Sequence, residues 1–184
     1  MEKPSKIAPA KGKLGILLPG MGAVATTFMA GVELVRKGKS QPVGSVTQLG
    51  TIRLGKRTDG RTPKVKDFVP LAGLNDIVFG GWDIFNDNAY QSAANAGVLD
   101  LQDLAKVKTY LSKIKPMKAA FDQKFVKLIS GPNVKKGKNK YEWALELKED
   151  IKKFRKSSGA TRLVACWCTP WPARARPGRP ASVF

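Results

Sequence analysis

An apolar stretch that runs directly into two glycines constrains the fold of this chain more than any other feature. Residues 15–28 read GILLPGMGAVATTF, an apolar run and a proline followed by Gly-Met-Gly and then by small residues. A buried strand, a tight turn and a helix are the elements that this pattern predicts. We expect the strand over 14–18, the turn at 20–22 and the helix over 23–38, ended by Gly38. The apolar stripe of the helix consists of Val24, Phe28, Val32 and Val35.

Glycines at a turn between a strand and a helix allow a phosphate to approach the backbone. The N–H groups of such a turn face the ligand, and the helix N-terminus contributes about half a positive charge. A Cβ at Gly20 would hinder the turn and one at Gly22 would obstruct a pyrophosphate. Ala25 stands where the third small residue of G-x-G-x-x-G/A lets the helix pack on the strand. A tight turn that holds no ligand is the other interpretation of the same residues.

An acidic residue that binds the ribose hydroxyls is the second part of a dinucleotide fingerprint, expected about 20 residues after the turn. Glu33 lies inside the predicted helix and is too near the turn. Asp83 is the better candidate, because it shortly follows the apolar stretch DIVFGG, which predicts a second strand. Residues 41–74 would then be an insertion before that strand. A helix cap or a loop acid is the alternative interpretation of Asp83.

The rest of the chain alternates between extended and helical patterns. Residues 41–64 are punctuated by glycines and predict short strands or an excursion from the sheet, with TDGRTP as an exposed turn. Apolar runs at 75–85 and 161–168 predict strands, the second of them buried. Helices are expected from Asn86, which can cap the first of them, and over 101–113, 117–129 and 141–156.

This order of strands and helices indicates an α/β fold with a Rossmann-like, doubly wound parallel sheet that is incomplete. We expect a flexible arm over 1–13 and a partial nucleotide-binding domain over 14–168. Residues 169–184 are rich in proline and arginine and follow neither the period of a strand nor that of a helix. They predict a disordered tail or the product of a frameshift.

Composition excludes several classes of function. Histidine is absent, so histidine triads and histidine metal ligation are excluded. Two thiols alone, those of Cys166 and Cys168, make neither a disulfide framework nor a zinc site, and no metal site is expected. No apolar run reaches the roughly 18–20 residues of a membrane span, and no signal peptide is evident. We therefore expect a cytoplasmic protein that does not bind membranes.

The charge balance is strongly basic, with 33 Lys and Arg against 14 Asp and Glu and a net charge of +19. Such a charge attracts phosphorylated small ligands or nucleic acid, or it reflects only a solvated, lysine-rich surface. No RNA-binding signature or helix-turn-helix spacing is present, which makes nucleic acid the weakest of these interpretations. The basic loop 131–140 is expected to be solvated; its lysines are Lys135, Lys136, Lys138 and Lys140.

Five segments of the chain together resemble one enzyme family. They are GILLPGMGAVATTFMAGVELVRKG, GSVTQLGTIRLGKR, DFVPLAGLNDIVFGGWDIFNDNAY, IKPMKAAFDQ and NVKKGKNK. In this order they are similar to myo-inositol-1-phosphate synthase, also called inositol-3-phosphate synthase, and more to its bacterial and archaeal branch. The resemblance extends over about residues 12–168. GGWDI and TQLGTIRLG are far more specific than the glycine turn.

The resemblance implies that residues 14–168 are an NAD-binding Rossmann-like domain. The family is a homotetrameric isomerase of inositol and phospholipid biosynthesis, which converts glucose 6-phosphate to inositol phosphate by an internal NAD redox cycle and an aldol closure. The diphosphate of NAD would lie on the glycine turn, and Asp83 would bind the adenosine ribose. The residues implied to contact NAD are Gly20, Gly22, Ala23, Val24 and Ala25 of the turn, Trp82 and Ile84 beside the adenine, Asp83, and Ser112.

The chain departs from the family after Cys168, where TPWP stands in place of a Ser/Thr/Glu segment that contacts NAD. The family's catalytic lysines and aspartate belong to a second half, of which no matching stretch is found, so no catalytic residue is expected in this chain. We expect a truncated chain that binds NAD weakly and is inactive alone. The homotetramer is an expectation for the family rather than for this chain. The alternatives are a non-catalytic NAD-binding module and a basic nucleic-acid-binding protein.

Overall fold

The structure, a computed structural model, describes residues 11–127 and 129–168. Its strands are β1 (Lys13–Pro19), β2 (Ile77–Asp83), β3 (Met117–Lys118) and β4 (Ala160–Ala165). They form one four-stranded sheet in the order β3-β2-β1-β4, and every neighbouring pair is parallel. The predicted α/β class is therefore confirmed. Because all strands run in one direction, their carboxyl ends share one edge of the sheet, where ligands bind in folds of this class.

Helices lie on both faces of the sheet. In the described residues they are α1 (Ala23–Arg36), α2 (Val46–Leu49), α3 (Val65–Phe68), α4 (Ala89–Ala96), α5 (Leu101–Leu111) and α6 (Lys140–Ser158). One face carries α1, α4 and α5, whose apolar side chains form the main core with alternate residues of β1 and β2. The other face carries α6 and a smaller apolar cluster. None of the described helices combines the length and the apolar character needed to cross a membrane.

The main core is closed at the end of α1 by an arginine. Arg36 donates hydrogen bonds to the carbonyl oxygens of Leu74 and Ile77, just before and at the start of β2. Its guanidinium also lies over the ring of Tyr110 in α5, 5.6 Å from the ring centre. One side chain therefore joins α1, β2 and α5, because a guanidinium offers several donors in one plane.

The second face is shaped by two strand glycines beneath one aromatic ring. A Cβ at Gly80 would lie 2.6 Å from Cε2 of Phe154, and a Cβ at Gly15 would lie 2.8 Å from Cε1 of the same ring. Such distances are too short for real contacts. The absence of side chains at these two positions therefore lets α6 approach the sheet closely.

A buried ion pair also fastens α6 to the sheet, and it corrects one expectation. Lys135 Nζ lies 2.6 Å from Asp150 Oδ2 and 3.5 Å from Glu146 Oε2, with only 5% of the lysine side chain exposed. Trp82 Nε1 donates to the same Asp150 Oδ2 at 2.9 Å. The prediction that the loop lysines are all solvated is thus wrong for Lys135, whose charge is paired. It is confirmed for the three exposed lysines, Lys136, Lys138 and Lys140.

The segment between α1 and β2 leaves the sheet. Of the two expectations for residues 41–64, short strands or an excursion from the sheet, the second is confirmed. Its middle part is a hairpin in which Ile52 and Leu54 donate to the carbonyl oxygens of Pro63 and Arg61. Only an isolated antiparallel bridge, Thr51 to Lys64, has strand geometry there. The exposed turn TDGRTP forms the tip of this hairpin, with a single 3₁₀ turn over Arg57–Asp59.

Three helix expectations need correction. The described residues of 117–129 do not form a helix: β3 begins the segment, and Ala119 exchanges backbone hydrogen bonds with Asn133 and Lys135. Pairing with distant backbone has overridden the local helical pattern. The cap of α4 is Asn88 rather than Asn86, because Asn88 accepts from the N–H groups of Tyr90 and Gln91.

The third correction concerns the buried side of α1. Val24 and Phe28 are 66% and 39% exposed, whereas Ala25 and Met29 have no exposed surface. Ala25 faces the sheet because α1 packs closely against it. This orientation turns Val24 and Phe28 towards the surface. Phe28 still packs edge-on against Phe79, with ring centres 5.3 Å apart.

The last strand is present where the sequence predicts it but is not buried. β4 pairs with β1, and within the described residues no strand lies on its other side. Val164 is 51% exposed and Trp167, just after the strand, 73% exposed. The expected arm over 1–13 falls almost wholly, and the expected tail over 169–184 wholly, outside the described residues, so both stay predictions. Position 128 of the helix expected over 117–129 also lies outside them.

Candidate nucleotide-binding site

The glycine turn lies at the carboxyl edge of the sheet, between the ends of β1 and β2. Gly20 donates from its N–H to the carbonyl oxygen of Trp82 at 2.9 Å, which joins the turn to the end of β2. Its φ of 83° lies in the left-handed region, which residues with a Cβ adopt only with strain. Glycine is therefore required at position 20 by the path of the chain from strand to helix.

The N-terminus of α1 is open. Gly22 occupies the cap position, no side chain caps the helix, and its first turn contains no acidic residue. In the described part of the chain, the N–H of Gly22 has no hydrogen-bond acceptor. Free N–H groups and the positive end of the helix dipole together form a site for an anion. In the described residues no protein group occupies this N–H, which leaves it available to a phosphate.

Asp83 lies directly beside the turn, at the end of β2. Its Oδ2 accepts a hydrogen bond of 2.6 Å from the N–H of Met21, and its Oδ1 accepts one of 3.0 Å from the N–H of Phe85. A carboxylate has about four lone-pair directions, so each oxygen can still accept a bond from a ribose hydroxyl. Both interpretations of the sequence are thus compatible with the geometry: Asp83 fixes two loops and also presents acceptors at the sheet edge.

Trp82 and Ile84, implied to lie beside the adenine, belong to the opposite face of the sheet. The side chain of Trp82 packs in the apolar cluster beneath α6, and the residue is only 6% exposed. Ile84 is half-buried at the border of the same cluster and lies beyond the last residue of β2. Of the two, Ile84 is better placed to reach a ligand at the edge.

Ser112 follows α5 and is half-buried. Two residues later, the carbonyl oxygen of Ile114 accepts from the N–H of Ala89, the first residue of α4. Because α4 begins just beyond β2, this hydrogen bond places the segment after α5 near the carboxyl edge of the sheet. Ser112 therefore lies on the same side of the molecule as the glycine turn.

Cysteines stand on the other flank of the turn, after β4. The N–H of Cys168 donates to the carbonyl oxygen of Pro19 at 3.1 Å. Partial burial raises the pKa of the Cys168 thiol, and the neighbouring Cys166 raises it further. Both residues are free cysteines, and Cys166 is exposed. The thiol beside the turn is therefore protonated and neutral near pH 7, and it brings no negative charge towards a bound phosphate.

Ser92 is a contact of the turn that the sequence did not indicate. Its Oγ donates a hydrogen bond of 2.6 Å to the carbonyl oxygen of Met21. The two residues are 71 positions apart in the chain. A serine in a short helix carries no pattern that could have marked it, because its partner is set by the packing of α4 against the turn.

A parallel sheet with an open, glycine-capped helix after its first strand defines the chain as a Rossmann-like α/β protein of the nucleotide-binding class. Comparisons with known proteins then give the family. An NAD-binding family model described as myo-inositol-1-phosphate synthase matches residues 14–172, and the chain belongs to this family.

Individual relatives agree with the family model. Inositol-3-phosphate synthase 1 of Bacteroides thetaiotaomicron is 47% identical over 163 residues, which are 88% of this chain and 37% of the relative. Inositol-3-phosphate synthase 1 of Oryza sativa subsp. japonica is 33% identical over 170 residues, covering 84% of this chain and 33% of the relative. The chain thus spans about a third of the length of these relatives, and the matched part is the NAD-binding region.

A solved structure supports the fold alone. The crystal structure of inositol-3-phosphate synthase from Caenorhabditis elegans superposes with a TM-score of 0.76 at 24% sequence identity. The superposition covers 86% of this chain and 34% of the other.

Proposed function

We propose that this chain is the NAD-binding part of an inositol-3-phosphate synthase and that NAD lies across the carboxyl edge of β1 and β2. The observation that carries the proposal is the open N-terminus of α1 behind Gly20, beside the carboxylate of Asp83. The N-terminus of α1 suits a diphosphate and the carboxylate of Asp83 suits ribose hydroxyls. A dinucleotide contains both groups. The family model, which is an NAD-binding one, names the same ligand.

Within this proposal the residues have distinct roles. The turn residues Gly20, Gly22, Ala23, Val24 and Ala25 hold the diphosphate through backbone N–H groups, which requires that no bulky side chain intervene. Asp83 accepts from the ribose. Ile84 contacts the adenine, and Trp82, in the same apolar cluster, packs behind Ile84. Ser112 borders the cofactor.

The chemistry of the whole synthase is the conversion of D-glucose 6-phosphate to 1D-myo-inositol 3-phosphate, in inositol and phospholipid biosynthesis. NAD supplies a hydride acceptor that later returns the hydride. The chain described here contributes binding and orientation of that cofactor. We propose that it does not turn over glucose 6-phosphate by itself, since it matches only about a third of the length of its relatives. We further propose a cytoplasmic location and, for the complete synthase, a homotetramer.

Calorimetric titration of the purified chain with NAD tests this function. ADP-ribose, which keeps the diphosphate and the adenosine ribose, is expected to bind, while nicotinamide riboside, which lacks both, is not. A short DNA duplex serves as the control for the net charge of +19. Binding of DNA that weakens steeply with salt, together with no heat from NAD, would support the nucleic-acid alternative instead.

A further inference from the structure

Met21, at the centre of the glycine turn, is held from three directions. Its N–H donates to Asp83 Oδ2, and its carbonyl oxygen accepts from Ser92 Oγ, each at 2.6 Å. Its side chain belongs to the main core, and the residue is only 1% exposed. The turn is therefore fixed by side chains from β2 and α4 as well as by its own backbone.

The hydrogen bond from Ser92 determines where the next N–H points. The carbonyl oxygen of Met21 and the N–H of Gly22 belong to one peptide unit, which is planar and trans; the described residues contain no cis peptide bond. In such a unit the two groups point in opposite directions. Because Ser92 holds the oxygen towards α4, the N–H of Gly22 is turned away from α4, and it meets no acceptor in the described residues.

We propose that Ser92 is a positioning residue of the nucleotide site, whose hydroxyl orients the N–H of Gly22 towards the diphosphate of the bound dinucleotide. This inference rests on the function proposed above. Without the hydroxyl, the peptide between Met21 and Gly22 loses the hydrogen bond that holds its oxygen, and the direction of its N–H is less well fixed when the anion arrives. Ordering this peptide on binding then costs free energy, which lowers the affinity for the dinucleotide.

The geometry of α4 is consistent with this role. Serine in a helix commonly donates to the carbonyl of its own preceding turn. Ser92 instead directs its hydroxyl at Met21, while its backbone N–H keeps the helical bond to the carbonyl oxygen of Asn88. The helix has only eight residues, and the Asn88 cap and the bond from Ala89 to Ile114 fix its start. The hydroxyl is thus presented to the turn from a fixed support.

The test compares Ser92→Ala, Ser92→Thr and Ser157→Ala in the full 184-residue chain, with NAD as the ligand in calorimetry. Ser157 is a matched control, since its Oγ also donates to a backbone carbonyl but lies in α6. We expect Ser92→Ala to weaken NAD five- to tenfold, Ser92→Thr to recover to within about twofold, and Ser157→Ala to change nothing. We also expect the Gly22 amide resonance to shift on NAD addition in the parent chain and to shift less in Ser92→Ala.

Each other outcome decides against the inference. If the parent chain binds NAD and Ser92→Ala binds equally well, Ser92 does not position the turn, although the proposed function stands. If Ser92→Thr binds NAD as weakly as Ser92→Ala, the hydroxyl of Ser92 is not what maintains the affinity. If circular dichroism shows that Ser92→Ala has lost its fold, the serine supports the fold rather than one peptide. If the parent chain binds no NAD, the proposed function itself fails.

Discussion

At the scale of single residues, the site depends on backbone atoms rather than on reactive side chains. Gly20 has a left-handed φ of 83°, Gly22 caps α1 without a side chain, and Met21 is clasped by Asp83 and Ser92. A diphosphate can be bound by N–H groups alone when they converge and are held still. The backbone conformation of the turn therefore matters more for phosphate binding than the chemistry of its side chains.

Replacement of Gly20 by alanine is expected to weaken NAD binding about tenfold. The Cβ either forces φ out of the left-handed region, which displaces the turn, or leaves φ there at a cost of about 1–2 kcal/mol, which favours displaced conformations of the turn. Gly38→Ala is the matched control, because Gly38 also has a positive φ, 63°, yet has open space around its Cβ position and lies after α1. Calorimetry should show normal NAD affinity for Gly38→Ala despite a similar loss of stability. Equal affinity in both variants would contradict the assignment of the turn.

Asp83→Asn is expected to weaken NAD about tenfold without unfolding the chain. The amide oxygen can still accept from Met21, but the bond from the Phe85 N–H and the charge that strengthens bonds from ribose hydroxyls are lost. Asp87→Asn is the control, since Asp87 lies nearby and its carboxylate contacts only Asn95 among the described side chains. Titration of both variants with NAD and with AMP measures the effect. A loss of similar size in Asp87→Asn would show that general charge, not a ribose contact, is responsible.

At the scale of elements, the sequence predicts what is local and misses what is paired at a distance. β1, the turn and α1 follow one another directly, so their pattern was readable. Residues 117–129 have a helical pattern, but their backbone pairs with β2 and with Asn133, which no local pattern reveals. Asp83 could be predicted because it follows an apolar strand pattern in the sequence. Ser92 and Lys135 were missed because their partners come from other elements.

The ion pair beneath α6 gives a prediction at this scale. Asp150→Asn is expected to lower the free energy of unfolding by about 2–3 kcal/mol, because the ammonium of Lys135 stays buried with a weaker partner. The double variant Lys135→Met/Asp150→Asn should recover much of this loss, since no charge is then left buried and the amide oxygen can still accept from Trp82. Urea unfolding measures both.

Lys152→Met is the control for the ion pair. It removes the pair between Lys152 and Glu149, whose side chains are 60% and 55% exposed. Exposed pairs contribute little, so the free energy of unfolding should change far less than in Asp150→Asn. If the double variant is as unstable as Asp150→Asn, an unpaired buried charge is not the cause of the loss.

At the scale of the whole molecule, the chain has the sheet edge that we propose as the NAD site but spans only about a third of the length of its relatives. Charge over the whole chain is +19, which attracts any phosphorylated ligand to the surface. Specific binding must therefore be separated from general attraction, which salt screens over about 10 Å at 0.1 M.

Binding and turnover are expected to separate in this chain. With NAD and glucose 6-phosphate supplied, no inositol phosphate should form, while NAD still binds in 0.3 M salt. Chromatographic assay of inositol phosphate beside calorimetry in the same buffer measures both. Formation of inositol phosphate above the rate of a buffer blank would show that the catalytic groups lie within these 184 residues.

The most direct test of the nucleotide site is a crystal structure of the chain grown with NAD. A diphosphate oxygen within about 3.2 Å of the Gly22 N–H, with ribose hydroxyls donating to Asp83, is the arrangement that we predict. NAD bound with its diphosphate among the lysines of 131–140, and nothing at the start of α1, would contradict it.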